Sequence, residues 1–308
     1  MAETKNFFNP DLIARILRLE LTARRVVDGF LTGKNRSSRH GFSVEFVEHR
    51  EYTPGDDLRH LDWKVLGRMD RYYIKRYEEE TNITAVILLD ASGSMTYGSG
   101  AISKFEVGAY AASALSYLLH RQRDAVGLAV FDEDVRAFVP PAAKRTALAN
   151  IAAKLQGTEP RGKTSFTEVL KRVSHEIPHR ALFVLISDFF VPLESFEKGL
   201  RLFDHRGHDV IVLQVLDEAE RTFPFRQNTL FRGLEDSREL LTEPHRLRKR
   251  YLESLERFIE GVKKATLASA YDYQMVTTGG DLEPALAALL SARLRRRPTP
   301  TRGHGSAS

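Results

Sequence analysis

From residue 83 onward the chain repeats one alternation. A short apolar run is followed by a longer segment whose apolar residues recur at helical spacing. The runs are "ITAVILL" (83–89), "AVGLAVF" (125–131), "ALFVLIS" (181–187), "DVIVLQVL" (209–216) and "YDYQMVTT" (271–278). Strands that are apolar throughout must be covered on both faces, so this alternation predicts a mainly parallel sheet between helical layers. Helices are expected at Phe105–Arg121, Ala143–Gln156, Phe166–Glu176, Leu193–His205 and Leu282–Leu294. "VRAFV" (135–139) reads as a short edge strand that stops before Pro140 and Pro141. The fold class is therefore α/β: a doubly wound, mainly parallel, Rossmann-like sheet with helices on both faces.

Around that core the pattern changes. Residues 1–80 form a smaller α+β region, with a helix near Pro10–Leu31 and extended stretches at 42–52 and 71–80. The sheet domain occupies 81–291. It is interrupted between its fourth and fifth strands by a hairpin within 222–236 and a charged helix over Pro244–Leu267. Residues 292–308, rich in Arg, Pro, Gly and Ser, read as a disordered basic tail.

In a doubly wound sheet, ligands bind at the carboxyl ends of the strands where the strand order reverses. The first run ends there in "DASGS", an aspartate and two hydroxyls each two residues apart. Three chemistries compete for it. A serine nucleophile would want a G-x-S-x-G elbow and a histidine partner, and neither Ser92 nor Ser94 has them. A phosphate cradle has a candidate elsewhere, because "GTEPRGKT" (157–164) satisfies G-x-x-x-x-G-K-[ST]. That motif needs a strand leading into its glycine loop, whereas "RTALANIAAKLQ" ahead of it has helical spacing.

The third chemistry is a metal seat. Residues two apart in an extended loop face one side, so Asp90, Ser92 and Ser94 can converge on a point. Thr164 in "RGKTSF" and Asp188 in "LISDF" add oxygens from neighbouring loops. An all-oxygen set suits Mg²⁺ or Mn²⁺ rather than zinc. The competing structural explanation is that Asp90 and Ser92 merely cap the following helix.

Composition removes other classes. With no cysteine, the chain has no disulfide scaffold, zinc–thiolate centre or cysteine nucleophile. The N-terminus "MAETKNFFNPDL" lacks a signal-peptide pattern, and no apolar run approaches the 18 or more residues of a membrane span. A cytoplasmic protein without a membrane partner is expected. The net charge of +5 draws on "HRLRKRY" (245–251) and "RLRRR" (293–297), read as a solvated helix face and a tail. Nucleic acid is not the expected partner, because no aromatic residues interleave these basic runs in a binding groove.

At Asp90, Ser92, Ser94, Thr164 and Asp188 the sequence resembles the von Willebrand factor A-type (vWA) domain, over about residues 81–291. The metal-ion-dependent adhesion site of that domain is D-x-S-x-S, then a loop threonine, then a strand-ending aspartate. Upstream, "EFVEHREYTPGDDLRHLDWKVLGRMDRYYIKRYEEE" (45–80) is similar to the family called domain of unknown function 58. The resemblance rests on Glu45, Phe46, Arg50, Tyr52, Pro54, Gly55, Asp56, Asp57, Arg59, Asp62 and Trp63. Such proteins are commonly paired with MoxR-type AAA+ ATPases. From the residues alone, "TPGDD" is turn-and-cap chemistry, with a catalytic carboxylate pair as the lesser alternative.

Together these readings imply a non-enzymatic, divalent-metal-dependent protein-interaction module. Asp90, Ser92 and Ser94 would hold the ion, Thr164 would engage or release it, and Asp188 would orient bound water. The expected partner offers an acidic side chain and is a MoxR-type AAA+ ATPase or its client. The alternative is a nucleotide-binding enzyme built on Gly157–Thr164.

Overall fold

The computed structural model describes residues 44–51, 73–79, 83–236, 238–282 and 285–287. They fall into two units, one holding the strands inside Leu31–Asn82 and one running from Ile83 onward. In the first, β1 (Val44–Glu51) and β2 (Tyr73–Glu79) pair antiparallel, with a register shift between Phe46 and Glu48. Both expected extended stretches are thus strands. The helix expected near Pro10–Leu31, the "TPGDD" turn and the tail at 292–308 lie outside the described residues.

The second unit runs β3 (Thr84–Asp90), α1 (Lys104–Arg121), β4 (Ala125–Phe131), β5 (Val135–Ala142), α2 (Arg145–Gln156), α3 (Phe166–Glu176) and β6 (Leu182–Ser187). It continues with α4 (Leu193–His205), β7 (Asp209–Leu216), α5 (Glu218–Thr222), β8 (Thr229–Arg232), β9 (Glu239–Thr242), α6 (Pro244–Ala268) and β10 (Asp272–Thr277). Its main sheet has the order β10-β7-β6-β3-β4-β5, parallel throughout except for β5. Of the helix expected at Leu282–Leu294, residues 282 and 285–287 are described, and they are helical.

The strand sequence explains the layers. Residues 85–89 of β3 are all fully buried. Ala85, Ile87 and Leu89 pack with α1 and α2 on one face, and Val86 and Leu88 with α3, α4 and α6 on the other. Each buried Val, Leu or Ile contributes roughly 1.5–3 kcal/mol, so exposing either face of the central strand would be prohibitive. An aromatic cluster then anchors the loop after β6. Phe189 meets Phe166 edge-on at 5.7 Å and Phe196 at 5.2 Å.

Two boundaries differ from the sequence expectation. β5 runs through Pro140 and Pro141 instead of stopping before them. It is the antiparallel edge strand, so among the described residues one side of it has no neighbour that needs an N–H donor. The insertion hairpin keeps β8 inside the expected window but places β9 beyond it. Its turn is long, closed by Gly233 N–H donating to the Arg238 carbonyl at 2.8 Å. Among the described residues, no helix is long and apolar enough to cross a membrane.

The strand order fixes where a ligand can sit. From β3 the chain moves outward to β4 and β5, then returns to the other side of β3 for β6, β7 and β10. The connections leaving β3 and β6 therefore diverge, and the carboxyl ends of these two neighbours flank the crevice. Asp90 ends β3, and Asp188 follows β6.

Candidate metal centre

Asp90 is 1% exposed, and its carboxylate gathers hydroxyls from the surrounding loops. Oδ2 accepts a hydrogen bond from Ser187 Oγ at 2.6 Å. Oδ1 accepts the backbone N–H of Ser92 at 2.8 Å. The Thr164 hydroxyl lies 3.5 and 3.4 Å from the two carboxylate oxygens, at the long limit of hydrogen bonding. Ser92 Oγ and Ser94 Oγ are 3.2 Å apart. The structure thus brings Asp90, Ser92, Ser94 and Thr164 into one cluster.

The convergence differs in form from the extended loop inferred from the sequence. Ser92 is extended, but a single 3₁₀ turn over Gly93–Thr96 carries Ser94 back toward it. The turn needs Gly93, because a Cβ there would collide with the carbonyl of Leu234 in the β8–β9 turn. Two backbone hydrogen bonds then tie the Thr164 loop to the Asp90 loop. Arg161 N–H donates to the Ala91 carbonyl, and Gly93 N–H to the Gly162 carbonyl, both at 2.8 Å. Gly162 has φ 75°, in the left-handed region that glycine enters without strain.

Capping does not account for these residues. Helix α1 begins at Lys104 and is capped by Ser103, in a reciprocal box with Glu106. The Ser92 side chain caps nothing. The phosphate-cradle motif likewise loses its context. Helix α2, not a strand, leads into Gly157, whose N–H closes that helix on the Ala153 carbonyl.

Asp188 is placed differently. It is 2% exposed and makes no direct hydrogen bond with the other four. Its Oδ1 accepts Phe190 N–H at 3.1 Å, and its Oδ2 accepts the Lys104 ammonium at 2.8 Å. Its charge nevertheless reaches Asp90. Burial first, and repulsion from Asp188 second, push the Asp90 carboxyl up to about 7, against the hydrogen bonds from Ser187 and Ser92. Immediately after Asp188 the backbone is forced: Phe189 has φ 59°, unfavourable for a bulky residue. Its buried ring and its N–H bond to Ser187 Oγ at 2.8 Å hold it there.

Three participants escaped the sequence reading. Ser187 is a neutral residue closing the buried run of β6, with no charge or spacing to mark it. Lys104 opens an Ala-rich apolar helix, where a fully buried cation is out of place, and that was the available signal. Its ammonium bridges Asp188 and Glu220, at 2.8 and 2.7 Å. Burial opposes that charge, but Asp188 and Glu220 more than offset it and hold the ammonium above its ordinary pKa. Glu220, 14% exposed, carried no sequence signal at all.

The donor set fits a hard divalent cation. It is all oxygen, combining neutral hydroxyls with buried carboxylates, one of which resists ionising without added positive charge. Among the described residues, no three His, Asp or Glu side chains form a ligand set by themselves, so hydroxyls would have to complete the shell.

The family model for "Protein of unknown function DUF58" matches residues 48–258. The chain belongs to the DUF58 family. It is 28% identical over 221 residues to an uncharacterized protein of Mycobacterium tuberculosis, covering 70% of this chain and 68% of that one. Two solved structures are also similar to this DUF58 chain. BatB from Bacteroides thetaiotaomicron is 17% identical, with TM-score 0.48, covering 70% of this chain and 100% of that one. The SpRpn10 VWA domain is 9% identical, with TM-score 0.40, covering 68% and 95%. The fold assignment of this DUF58 chain rests on its own strand order.

Proposed function

We propose that this DUF58 chain is a non-enzymatic protein-interaction module that docks partners through a divalent cation. Asp90, Ser92, Ser94, Thr164 and Asp188 would hold Mg²⁺ or Mn²⁺. A bound cation would supply an electrophilic position for a partner's carboxylate. The partner class suggested by the family resemblance is a MoxR-type AAA+ ATPase, or its client, presenting an Asp or Glu.

The observation that carries this reading is the state of Asp90. A carboxylate buried at a topological switch point, ringed by hydroxyls and repelled by a second aspartate, gains most from a nearby cation. The chain's own residues do the rest. The Ser187 and Ser92 donors fix the orientation of the Asp90 carboxylate, and the two backbone bonds hold the Thr164 loop against it.

Thermal melts with and without chelator test the metal step. Mg²⁺ or Mn²⁺ is expected to raise the native melting temperature by several degrees, and to leave Asp90→Ala unmoved. A native protein indifferent to both ions defeats the reading. A pull-down of a purified MoxR-type ATPase by native and Asp90→Ala bait, with and without chelator, tests the docking step. Capture is expected from native bait without chelator alone.

A further inference from the structure

We infer that Lys104 is the built-in counter-charge of the cation site, and that its ammonium limits both the affinity and the total charge of the ion accepted. This rests on the metal-dependent reading above and extends it to the site's regulation.

The geometry is specific. Lys104 is fully buried at the first position of α1, and its Nζ is shared between Asp188 at 2.8 Å and Glu220 at 2.7 Å. It also lies 4.8 Å from the centre of the Phe190 ring, near enough for a cation–π contact. The two anchors differ in access. Asp188 is sealed, whereas Glu220 lines a cavity of about 360 Å³ beside Tyr97 and Tyr251. Asp188 is therefore the anchor that water cannot readily replace.

Two consequences follow for an ion. First, both Asp188 oxygens already receive donors, from Lys104 and from the Phe190 N–H, so this carboxylate is a weakened base toward any further cation. Second, the lysine changes the charge that an ion meets. Asp90, Asp188 and Glu220 are negative when ionised, and the Lys104 ammonium cancels one unit of that charge. The lost attraction grows with the charge of the ion, so it weighs more against a trivalent ion than against a divalent one. In a buried setting an uncompensated charge is costly, so Lys104 acts as a filter on valence as well as on affinity.

The test uses the full chain and calorimetric titration with Mg²⁺, then with Ca²⁺ and Tb³⁺, which are similar in size and differ in charge. Lys104→Met is expected to bind Mg²⁺ about 10-fold tighter or more, and to shift preference from Ca²⁺ toward Tb³⁺. Glu220→Gln, which leaves the ammonium to Asp188, is expected to move affinity the opposite way, weakening Mg²⁺ by about threefold or more. A merely structural lysine would not produce opposite signs in the two variants.

If native protein binds Mg²⁺ and Lys104→Met binds it equally or more weakly, the inference is overturned while the metal site stands. If Lys104→Met does not fold, Glu220→Gln decides, and unchanged affinity there overturns it. If only Lys104→Met binds, the ammonium takes the ion's place in the native chain: the filter holds and the docking mechanism falls. If neither chain binds any of the three ions, both fall together.

Discussion

The loop after β3 and the loop after β6 each bring a buried aspartate to the same crevice, in opposite electrostatic settings. Asp90 is surrounded by hydroxyls and a backbone N–H, and its carboxyl is pushed up to about 7. Asp188, one strand away, is satisfied by an ammonium at 2.8 Å and a backbone N–H at 3.1 Å. The two carboxylates are alike in burial, so burial alone does not decide what such a group can do. The sign of the nearest charge decides it. Asp188 already accepts an ammonium that an incoming ion would have to share, and Asp90 is the group that gains more from that ion.

Substitution should expose that asymmetry. The largest effect is expected from Asp188→Ala, which strands the buried Lys104 ammonium on Glu220 alone. Breaking a buried pair from one side typically costs ~3 kcal/mol or more, read as a lower midpoint in urea. Equal tolerance of Asp188→Ala and Asp90→Ala would erase the contrast.

Asp90→Asn should do the reverse in chelator and stabilise the fold by ~1–3 kcal/mol at pH 8, because it removes a carboxylate that burial disfavours. The sign fixes the pH window. The folded Asp90 value, about 7, lies above its ordinary 3.8, so the folded chain holds this proton more tightly than the unfolded chain does. Stability from this group is complete below the ordinary value, falls as pH rises toward 7, and levels off above it. The difference between native and Asp90→Asn melting curves should open across that interval, and Mg²⁺ should narrow it. A difference flat in pH would remove the account of Asp90.

The smallest effect is a control of opposite sign, away from the crevice. His208 is buried against Phe183 and Phe203, and its Nδ1 accepts the Ala181 N–H at 3.3 Å. Burial, then the Arg206 charge, hold its pKa below the ordinary 6.5. The unfolded chain therefore binds this proton first, and stability is lost as pH falls below 6.5. His208→Asn, which can keep the acceptor, should soften that acid loss by under ~1 kcal/mol while leaving the cation response unchanged.

Much of this layout was readable beforehand. Runs such as "AVGLAVF" and "DVIVLQVL" coincide with β4 and β7, because a strand buried on both faces has little freedom in composition. Asp90, Ser92 and Ser94 could be grouped from their local spacing, although a 3₁₀ turn and not an extended loop carries Ser94 to Ser92. The course of β5 through two prolines was hidden, since its tolerance depends on which strand ends up at the edge. The bridge from Lys104 to Asp188 spans 84 residues, and from Lys104 to Glu220 it spans 116. No periodicity encodes such a pairing, which exists only once α1, β6 and α5 have assembled.

The paired backbone bonds, Arg161 to Ala91 and Gly93 to Gly162, weld two segments far apart in sequence into one rigid piece. Anyone transplanting this centre onto another scaffold would have to carry residues 161–164 along with 90–94 as a single graft. Moving the serine loop alone would deliver the right letters without the frame that aims them.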